Sequence, residues 1–396
     1  MKILKVIHGF PPDYMAGSEV YSYHLVKELI EQNIQVCVFT RVENEFDKPY
    51  TIYNEIYENI PIMRINKPIR DYRYEDKFYD ENIDKAFGDY LEQVKPDIVH
   101  FGHLSHLSTS LIKIVKYRNI PLVYTIHDFW LFCIKGQMIN QKNERCKQPS
   151  IANCTQCSPY VTNESMVEQS SRHMREMIDL VDVFLSPSRT LMIFFMQHGV
   201  PLGKIKYMKY GFNKQKITYN KKIFGKNSKI RFGFIGRVIP QKGIKVLVDT
   251  FRELPNEQLC IYGDIGKQKR FLQTTNISFA GGYDNNNINE VFANIDVLIV
   301  PSLWLENSPL VIQEAQLAGI PVITSHIGGM AELIQDNING YLFETGNIHS
   351  LKAVIEKIVA HPSTLNDLEV NPNEVVSIKE NALQIKEIYQ QLGGLQ

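Results

Sequence analysis

Residues 301–319 read PSLWLENSPLVIQEAQLAG (Pro301–Gly319), and this stretch organises the rest of the chain. It is preceded by DVLIVPS (Asp296–Ser302), an apolar run rich in β-branched residues that reads as a buried parallel strand. Ser308-Pro309 reads as an N-cap and first-turn proline, the helix runs from Pro309 to about Leu317, and Gly319 suits its C-terminal cap. Glu306 then lies in the loop leaving a strand, and Glu314 lies further along the helix, with seven residues between them. Ligands of open α/β sheets bind beyond the carboxyl ends of strands. The N–H groups around Leu310 and Val311 would face an anion there. A helix start suited to phosphate, flanked by two carboxylates that accept hydrogen bonds from hydroxyls, fits a sugar nucleotide. A capped surface helix with two solvated acids is the alternative, since helix propensity favours Glu.

A second element of the same kind lies upstream. KIRFGFIGRVIPQK (Lys229–Lys242) is a strand ending in glycine, then Arg237, a turn at Pro240, and Lys242-Gly243 opening the helix GIKVLVDTFREL. Two cations at a strand-to-helix turn can neutralise a doubly charged leaving group. Exposed loop charges are the competing reading.

These elements occur in an order that resembles retaining glycosyltransferase family 4. The resemblance is carried by HGFPPDYMAGSEVYSYHLVKEL (His8–Leu29), PLVYTIHD (Pro121–Asp128), LSPSRTLMIFFMQHGVPLGKIKYMKYGFN (Leu185–Asn213), GFIGRVIPQKG (Gly233–Gly243), CIYGDIG (Cys260–Gly266) and the long stretch Phe279–Phe343. It implies an α/β chain of GT-B fold, with two Rossmann-like domains whose parallel sheets face an interdomain cleft and a last helix crossing back to the first domain. The expected division is an acceptor-binding domain over 1–210 with an insertion at 131–160, a linker at 211–228, a nucleotide-sugar domain over 229–376 and the returning helix at 377–396. The resemblance further implies that Glu314 holds the ribose hydroxyls and Glu306 those of the transferred sugar. Arg237, Lys242, Gly17 and the Leu310 and Val311 amides would stabilise the departing diphosphate, and His127 would hydrogen-bond a sugar hydroxyl or the developing charge. No pair of carboxylates obviously straddles the bond, so a front-face mechanism is expected, with the leaving phosphate taking the acceptor's proton. A nucleotide-sugar epimerase or phosphorylase on the same fold, or a non-catalytic nucleotide-binding subunit, are the other classes to weigh.

Alternating strands and helices run in two series, the second restarting at Ile230. The strands expected are Lys2–His8, Gln35–Arg41, Ile62–Ile65, Asp97–Phe101, Leu122–His127 and Val183–Ser186, then Ile230–Ile235, Gln258–Tyr262, Ile277–Ala280, Val297–Pro301, Pro321–Thr324 and Tyr341–Phe343. Helices are expected at Ser18–Gln32, Glu81–Val94, Ser105–Tyr117, Pro187–His198 and Ser377–Leu392. No Gly-x-Gly-x-x-Gly follows either first strand, which disfavours a dehydrogenase.

With 396 residues and 44% hydrophobic content, the chain has ample material for two cores. No apolar run is long enough to span a bilayer, and Met1–His8 is too short for a signal peptide. The expectation is therefore a cytoplasmic protein with reduced thiols. The net charge is zero, yet no acidic residue occurs between Asp182 and Asp249, a span with fourteen Lys or Arg. That asymmetry suits an anionic donor or peripheral contact with the inner membrane surface, with a solvated linker as the plain alternative. No nucleic-acid-binding module accompanies it. In the helix Pro187–His198, Leu191 and Phe195 should face the core, and Met192, Ile193 and Phe194 form an apolar patch suited to a membrane, a lipid-linked acceptor or a covering segment.

Of six cysteines, Cys37 and Cys260 fall in strands. Cys133, Cys146, Cys154 and Cys157 cluster after His127-Asp128 in a loop with no evident core, which suggests a structural four-thiolate zinc site or free thiols. Catalysis is expected to need no metal. His100, His103 and His106 lie at and after a strand end, where they could line an acceptor site.

Overall fold

The computed structural model describes residues 1–68, 73–142, 144–264, 274–282 and 287–394. The chain forms two compact units: Met1–Gln141, Cys146–Phe212 and Val376–Gln396 make the first, and Asn213–Val375 with Lys142–Arg145 make the second.

The first unit is built on β1 (Lys2–Val6), β2 (Gln35–Val42), β3 (Ile52–Tyr57), β4 (Ile60–Asn66), β5 (Ile98–Phe101), β6 (Leu122–Thr125), β7 (Val183–Ser186) and β8 (Ile205–Tyr207). Their spatial order is β3-β4-β2-β1-β5-β6-β7-β8, parallel except for β3. β1, β5 and β6 run side by side, in register at Lys5↔His100 and His100↔Val123. Two strands are additions to the sequence reading. β3 is an edge strand with mostly exposed side chains, joined to β4 by Glu58 and Asn59, both at positive φ, as a two-residue hairpin turn requires. β8 is only three residues long.

The helix Glu81–Val94 occupies its expected span, and Asp80 caps it by accepting from the Asn82 and Ile83 amides, a device worth about 1 kcal/mol. Ser105–Tyr117 is helical only over Leu111–Lys116, because His106 adopts φ 62°, the Leu107 amide closes a turn on the Leu104 carbonyl and the Thr109 amide donates to the distant Phe78 carbonyl. The helix Arg189–Gln197 buries Leu191 and Phe195 as expected. Phe194 meets the rings of Phe129 at 4.8 Å and His198 at 4.0 Å, so Ile193, about half exposed, is what is left of the expected apolar patch together with Met192. The last helix, Ile378–Gly393, starts with a capping box between Ser377 and Glu380 and belongs to the first unit. Among the described residues no helix is long and apolar enough to cross a membrane.

The second unit contains β9 (Arg231–Ile235), β10 (Gln258–Tyr262), β11 (Ile277–Gly281), β12 (Val297–Val300), β13 (Val322–Ser325) and β14 (Gly340–Phe343), all parallel, in the order β11-β10-β9-β12-β13-β14. Alternate residues supply two cores. Phe232, Phe234, Val297 and Ile299 face one layer of helices, and Ile235, Leu298 and Val300 face the other. Such a sheet, covered on both faces, accounts for the uninterrupted apolar runs in the sequence. Within the stretch expected as a linker, Phe224 joins the core of this unit and Lys222 pairs with Asp296 at 3.0 Å. Asp296 also holds Arg231 at 2.7 Å. Part of the basic run is thus neutralised locally.

Candidate functional site

The site in the second unit is assembled where β9 and β12, adjacent in the sheet, reach their carboxyl ends. After β9 the chain turns through Pro240–Lys242 into the helix Ile244–Arg252. Gly243, at φ 72°, forms the junction, and a Cβ there would sit 1.8 Å from the Pro301 carbonyl oxygen. The Leu303 amide also donates to the Gln241 carbonyl at 2.9 Å. These contacts press the β9 turn onto the loop after β12 and bring Lys242 to Glu306. Lys242 Nζ donates to Glu306 Oε1 at 2.6 Å, and the same oxygen accepts from Ser302 Oγ at 2.6 Å and Trp304 Nε1 at 3.1 Å. Glu306 is only 7% exposed, yet its charge is compensated. All three of these donors use Oε1, which leaves Oε2 for a ligand hydroxyl.

The other side of Glu306 is held by backbone. Its carbonyl accepts from the Gly329 amide at 2.8 Å. A Cβ on Gly329 would stand 1.4 Å from the Asn307 carbonyl oxygen, and Gly328 has φ 57°. This Gly328-Gly329 pair, just beyond β13, was not singled out from the sequence. A glycine pair following a strand was the available signal.

The helix after this loop is Leu310–Ala318, with Gly319 in the left-handed region at φ 78°, as expected of a C-terminal cap. Its N-cap is a correction: Pro309 occupies that position, and Ser308 Oγ instead accepts from Gln313 Nε2 at 3.0 Å. Leu310 and Val311 sit in the first turn, where amides have no intrahelical acceptor. Glu314 is in the second turn and forms no ion pair among the described residues. Burial pushes its carboxyl up to about 7, against a smaller opposing pull from Lys216. Arg237 is exposed beyond β9 and joins no ion pair among the described residues, so the structure unites Lys242 with Glu306 but does not bind Arg237 to them.

The elevated carboxyl has a measurable consequence. Because the folded state holds the Glu314 proton more tightly than the unfolded chain, this group's contribution to stability declines as pH rises from about 4.5 to about 7. Glu314→Gln is therefore expected to raise Tm at pH 8 and to lose that advantage at pH 4.5. An equal Tm difference at both pH values would contradict the burial assigned to Glu314.

In the first unit, side chains gather at the ends of β1, β5 and β6. His8 lies 3.1 Å from Glu19, and His103 lies 3.0 Å from Asp128 and stacks on Trp130. The His8 and His103 rings are 4.6 Å apart. Burial works against ionising Glu19, but the hydrogen bond and charge of His8, with a hydrogen bond from Ser18, bring its carboxyl down to about 2. His127 Nδ1 lies 2.6 Å from the Tyr210 hydroxyl, and burial holds the imidazole well below its usual range. His8, Glu19 and Asp128 were not among the expected site residues; the pairing of His103 with Asp128 depends on β5 and β6 being neighbours in the sheet.

His100 does not line a site. It is fully buried, with Nδ1 2.5 Å from the Tyr389 hydroxyl and Nε2 2.7 Å from Thr125 Oγ1. Burial takes His106 down to about 3. Gly17 is exposed at the start of the helix Gly17–Glu31, which has Ala16 at its N-cap and no side-chain cap. The loop before it is fastened by the buried Arg64, which donates to the Phe10 and Pro11 carbonyls at 3.1 and 2.6 Å.

The zinc expectation finds no support. Among the described residues no group of three or more His, Cys, Asp or Glu side chains converges as a metal-ligand set. Cys133, Cys146, Cys154 and Cys157 are free, Cys146 Sγ donates to the Gln148 carbonyl at 3.3 Å and Cys157 Sγ to that of Ile139 at 3.7 Å. The loop has its own core, with Met138 and Ile139 each 1% exposed and Cys133, Cys154 and Cys157 buried beside them. Burial pushes the Cys154 thiol up to about 11.

The glycosyltransferase family 4 model matches residues 15–216, and the model of glycosyl transferases group 1 matches residues 216–374. The chain is 26% identical, over 76% of each chain, to the UDP-Gal:alpha-D-GlcNAc-diphosphoundecaprenol alpha-1,3-galactosyltransferase of Escherichia coli. Its structure resembles sucrose-phosphate synthase from Thermosynechococcus elongatus, with a TM-score of 0.74, 18% identity and all of both chains covered. It also resembles Anabaena HepE in complex with UDP and glucose, with a TM-score of 0.68, 18% identity, and 99% of this chain and 100% of that chain covered. The fold is the α/β GT-B fold.

Proposed function

The chain belongs to glycosyltransferase family 4, and we propose that it moves a glycosyl group, with retention of configuration, from a nucleotide-diphosphate sugar to a hydroxyl of a glycan or lipid-linked acceptor in polysaccharide or glycolipid synthesis. The observation that carries this reading is Glu306, buried and compensated through one oxygen by Lys242, Ser302 and Trp304. A carboxylate so fixed can accept from a sugar hydroxyl through its second oxygen. Lys242 keeps donor capacity for a phosphate, because an ammonium has three N–H groups. The first-turn amides of Leu310 and Val311 would add partial positive charge, Glu314 would receive the ribose hydroxyls, and Arg237, exposed, would close on the diphosphate. Gly17 opens a helix with no side-chain cap and would offer its amide to an anionic group. His127, neutral by burial, would donate to a sugar hydroxyl or the developing charge. No carboxylate is assigned as nucleophile or base, so the leaving phosphate oxygen would take the acceptor proton. For the E. coli relative the named acceptor is a diphosphoundecaprenol-linked sugar, which supports the lipid-linked alternative. Peripheral contact with an anionic membrane is the further part of the reading, supported by exposed Ile193, Leu202 and Lys206.

A thermal-shift screen of nucleoside diphosphates and nucleotide sugars, followed by assay of free nucleoside diphosphate release with glycan acceptors, tests the proposal. One base should stabilise the fold, by about 2.7 kcal/mol at 100 times its dissociation constant, and one sugar of that base should be turned over. Absence of both responses across the panel would refute it.

A further inference from the structure

Tyr210 stands out because it joins His127 to the far end of the chain. Its hydroxyl lies 2.6 Å from His127 Nδ1, and the two rings are nearly parallel, 23° apart. Tyr210 is 5% exposed and packs its ring 4.4 Å from that of Tyr21, itself 4% exposed. The Tyr21 hydroxyl donates to Asn381 Oδ1 at 2.8 Å, and Asn381 Nδ2 donates to the Lys209 carbonyl at 2.9 Å, directly before Tyr210. Asn381 is fully buried on the helix Ile378–Gly393. That helix rests on Gly211, where an added Cβ would come within 2.6 Å of Asn381 Cβ and 2.7 Å of Ile378 Cα. On the opposite side of the imidazole, Nε2 looks towards Gly102, whose added Cβ would be 3.3 Å away.

We propose that Tyr210 is a positioning residue that keeps the His127 imidazole in the tautomer with its proton on Nε2, and that the C-terminal helix secures Tyr210 through Tyr21 and Asn381. A neutral imidazole has one donor and one acceptor nitrogen, and the partner of one nitrogen decides the role of the other. A phenol is the better donor of the two groups, because its oxygen lone pairs are delocalised into the ring while the bare imidazole nitrogen is not so weakened. With Tyr210 donating to Nδ1, Nε2 carries the hydrogen and is a donor. The opposite tautomer would present a lone pair there and could not donate to a sugar oxygen. The inference rests on the proposed role of His127 in glycosyl transfer for its effect on rate, but not for its effect on the tautomer.

The test uses the full chain with His127 followed by nitrogen-15 NMR of its imidazole. Wild type should show the Nε2–H form, and Tyr210→Phe should move the signal towards a mixture of tautomers, with Asn381→Ala moving it the same way by less. In turnover, Tyr210→Phe should lower kcat about tenfold, the size of one orienting hydrogen bond, with the donor KM within about twofold. Introduced into His127→Ala, the same change should lower kcat no further, since coupled residues are not additive. An unchanged imidazole signal in Tyr210→Phe, or a loss of kcat that persists in the His127→Ala background, overturns the proposal. If wild type turns over no nucleotide sugar, glycosyl transfer fails as the function, and the NMR comparison still decides what Tyr210 does.

Discussion

Replacing Lys242 by alanine is expected to lower turnover by roughly 10²–10³-fold, the loss usual when one preorganised charge stabiliser is removed from an active site. Two effects combine. A departing diphosphate would lose a cation, and Glu306 would lose the one cation that pairs with it among the described residues, leaving Ser302 and Trp304 as neutral donors to a carboxylate only 7% exposed. Breaking a fully buried ion pair costs about 3–5 kcal/mol. The Lys242 side chain keeps 20% of its exposure, so the stability loss should be smaller, about 1–3 kcal/mol. Lys242→Arg should recover part of the stability but little of the rate, because a planar, delocalised guanidinium does not reproduce the compact point charge of an ammonium. Measured kcat for nucleoside diphosphate release decides the matter. A Lys242→Ala enzyme within threefold of wild type would remove Lys242 from the chemistry.

Gly329→Ala should be at least as damaging although it touches no reacting group. Its methyl would be placed 1.4 Å from the Asn307 carbonyl oxygen and 3.1 Å from that of Glu306. Both obstacles are backbone, so no rotamer change relieves the overlap. The loop carrying Glu306 or the start of the helix Gly328–Leu333 must move by more than an ångström, and the bond from the Gly329 amide to the Glu306 carbonyl would break. A 1 Å displacement of a catalytic group can cost about 10²-fold. Gly203→Ala is the matched control, since a Cβ there meets nothing within 4 Å. The expected pattern is loss of turnover in Gly329→Ala with the control unaffected. Normal turnover in both variants would mean that the Glu306 loop adapts, against the rigidity inferred from its packing.

These residues also mark what the sequence makes legible. The stretch Pro301–Gly319 was readable because its signals are local: an apolar strand, a break at Pro309 and a glycine cap. The same local reading misplaced the N-cap, since the φ of −63° and ψ of 121° at Pro309 put that residue, not Ser308, at the helix boundary. Long-range pairings left weaker traces. Lys242 and Glu306 were both picked as site residues, but nothing in their spacing showed that they bond to each other across 64 positions. Arg64 reaches the Phe10 carbonyl over 54 positions, and its charge gave no hint of a buttress for the loop before Gly17. The edge strand β3 escaped because its side chains are mostly exposed and lack a buried face. The cysteine loop misled for a related reason: the side chains that fill it, Met138 and Ile139 among them, are few and scattered between polar residues, so composition understated its core.

The first unit is interrupted in the chain by Asn213–Val375 and completed only by Val376–Gln396. At the point of return, Phe212 bonds to its distant neighbours on both sides: its amide donates to the Val376 carbonyl, and its carbonyl accepts from the Ile378 amide. During synthesis the nascent first unit must therefore wait while the second emerges from the ribosome, roughly ten to thirty seconds at typical elongation rates. Throughout that interval Tyr21, Gly211 and His100 lack the helix that covers them, and a chaperone that shields apolar surface would find its target there. Premature termination after Val375 would release a chain whose second unit has all its residues, while the first retains His127 but has no Asn381 to engage Tyr21 and no Tyr389 to engage His100.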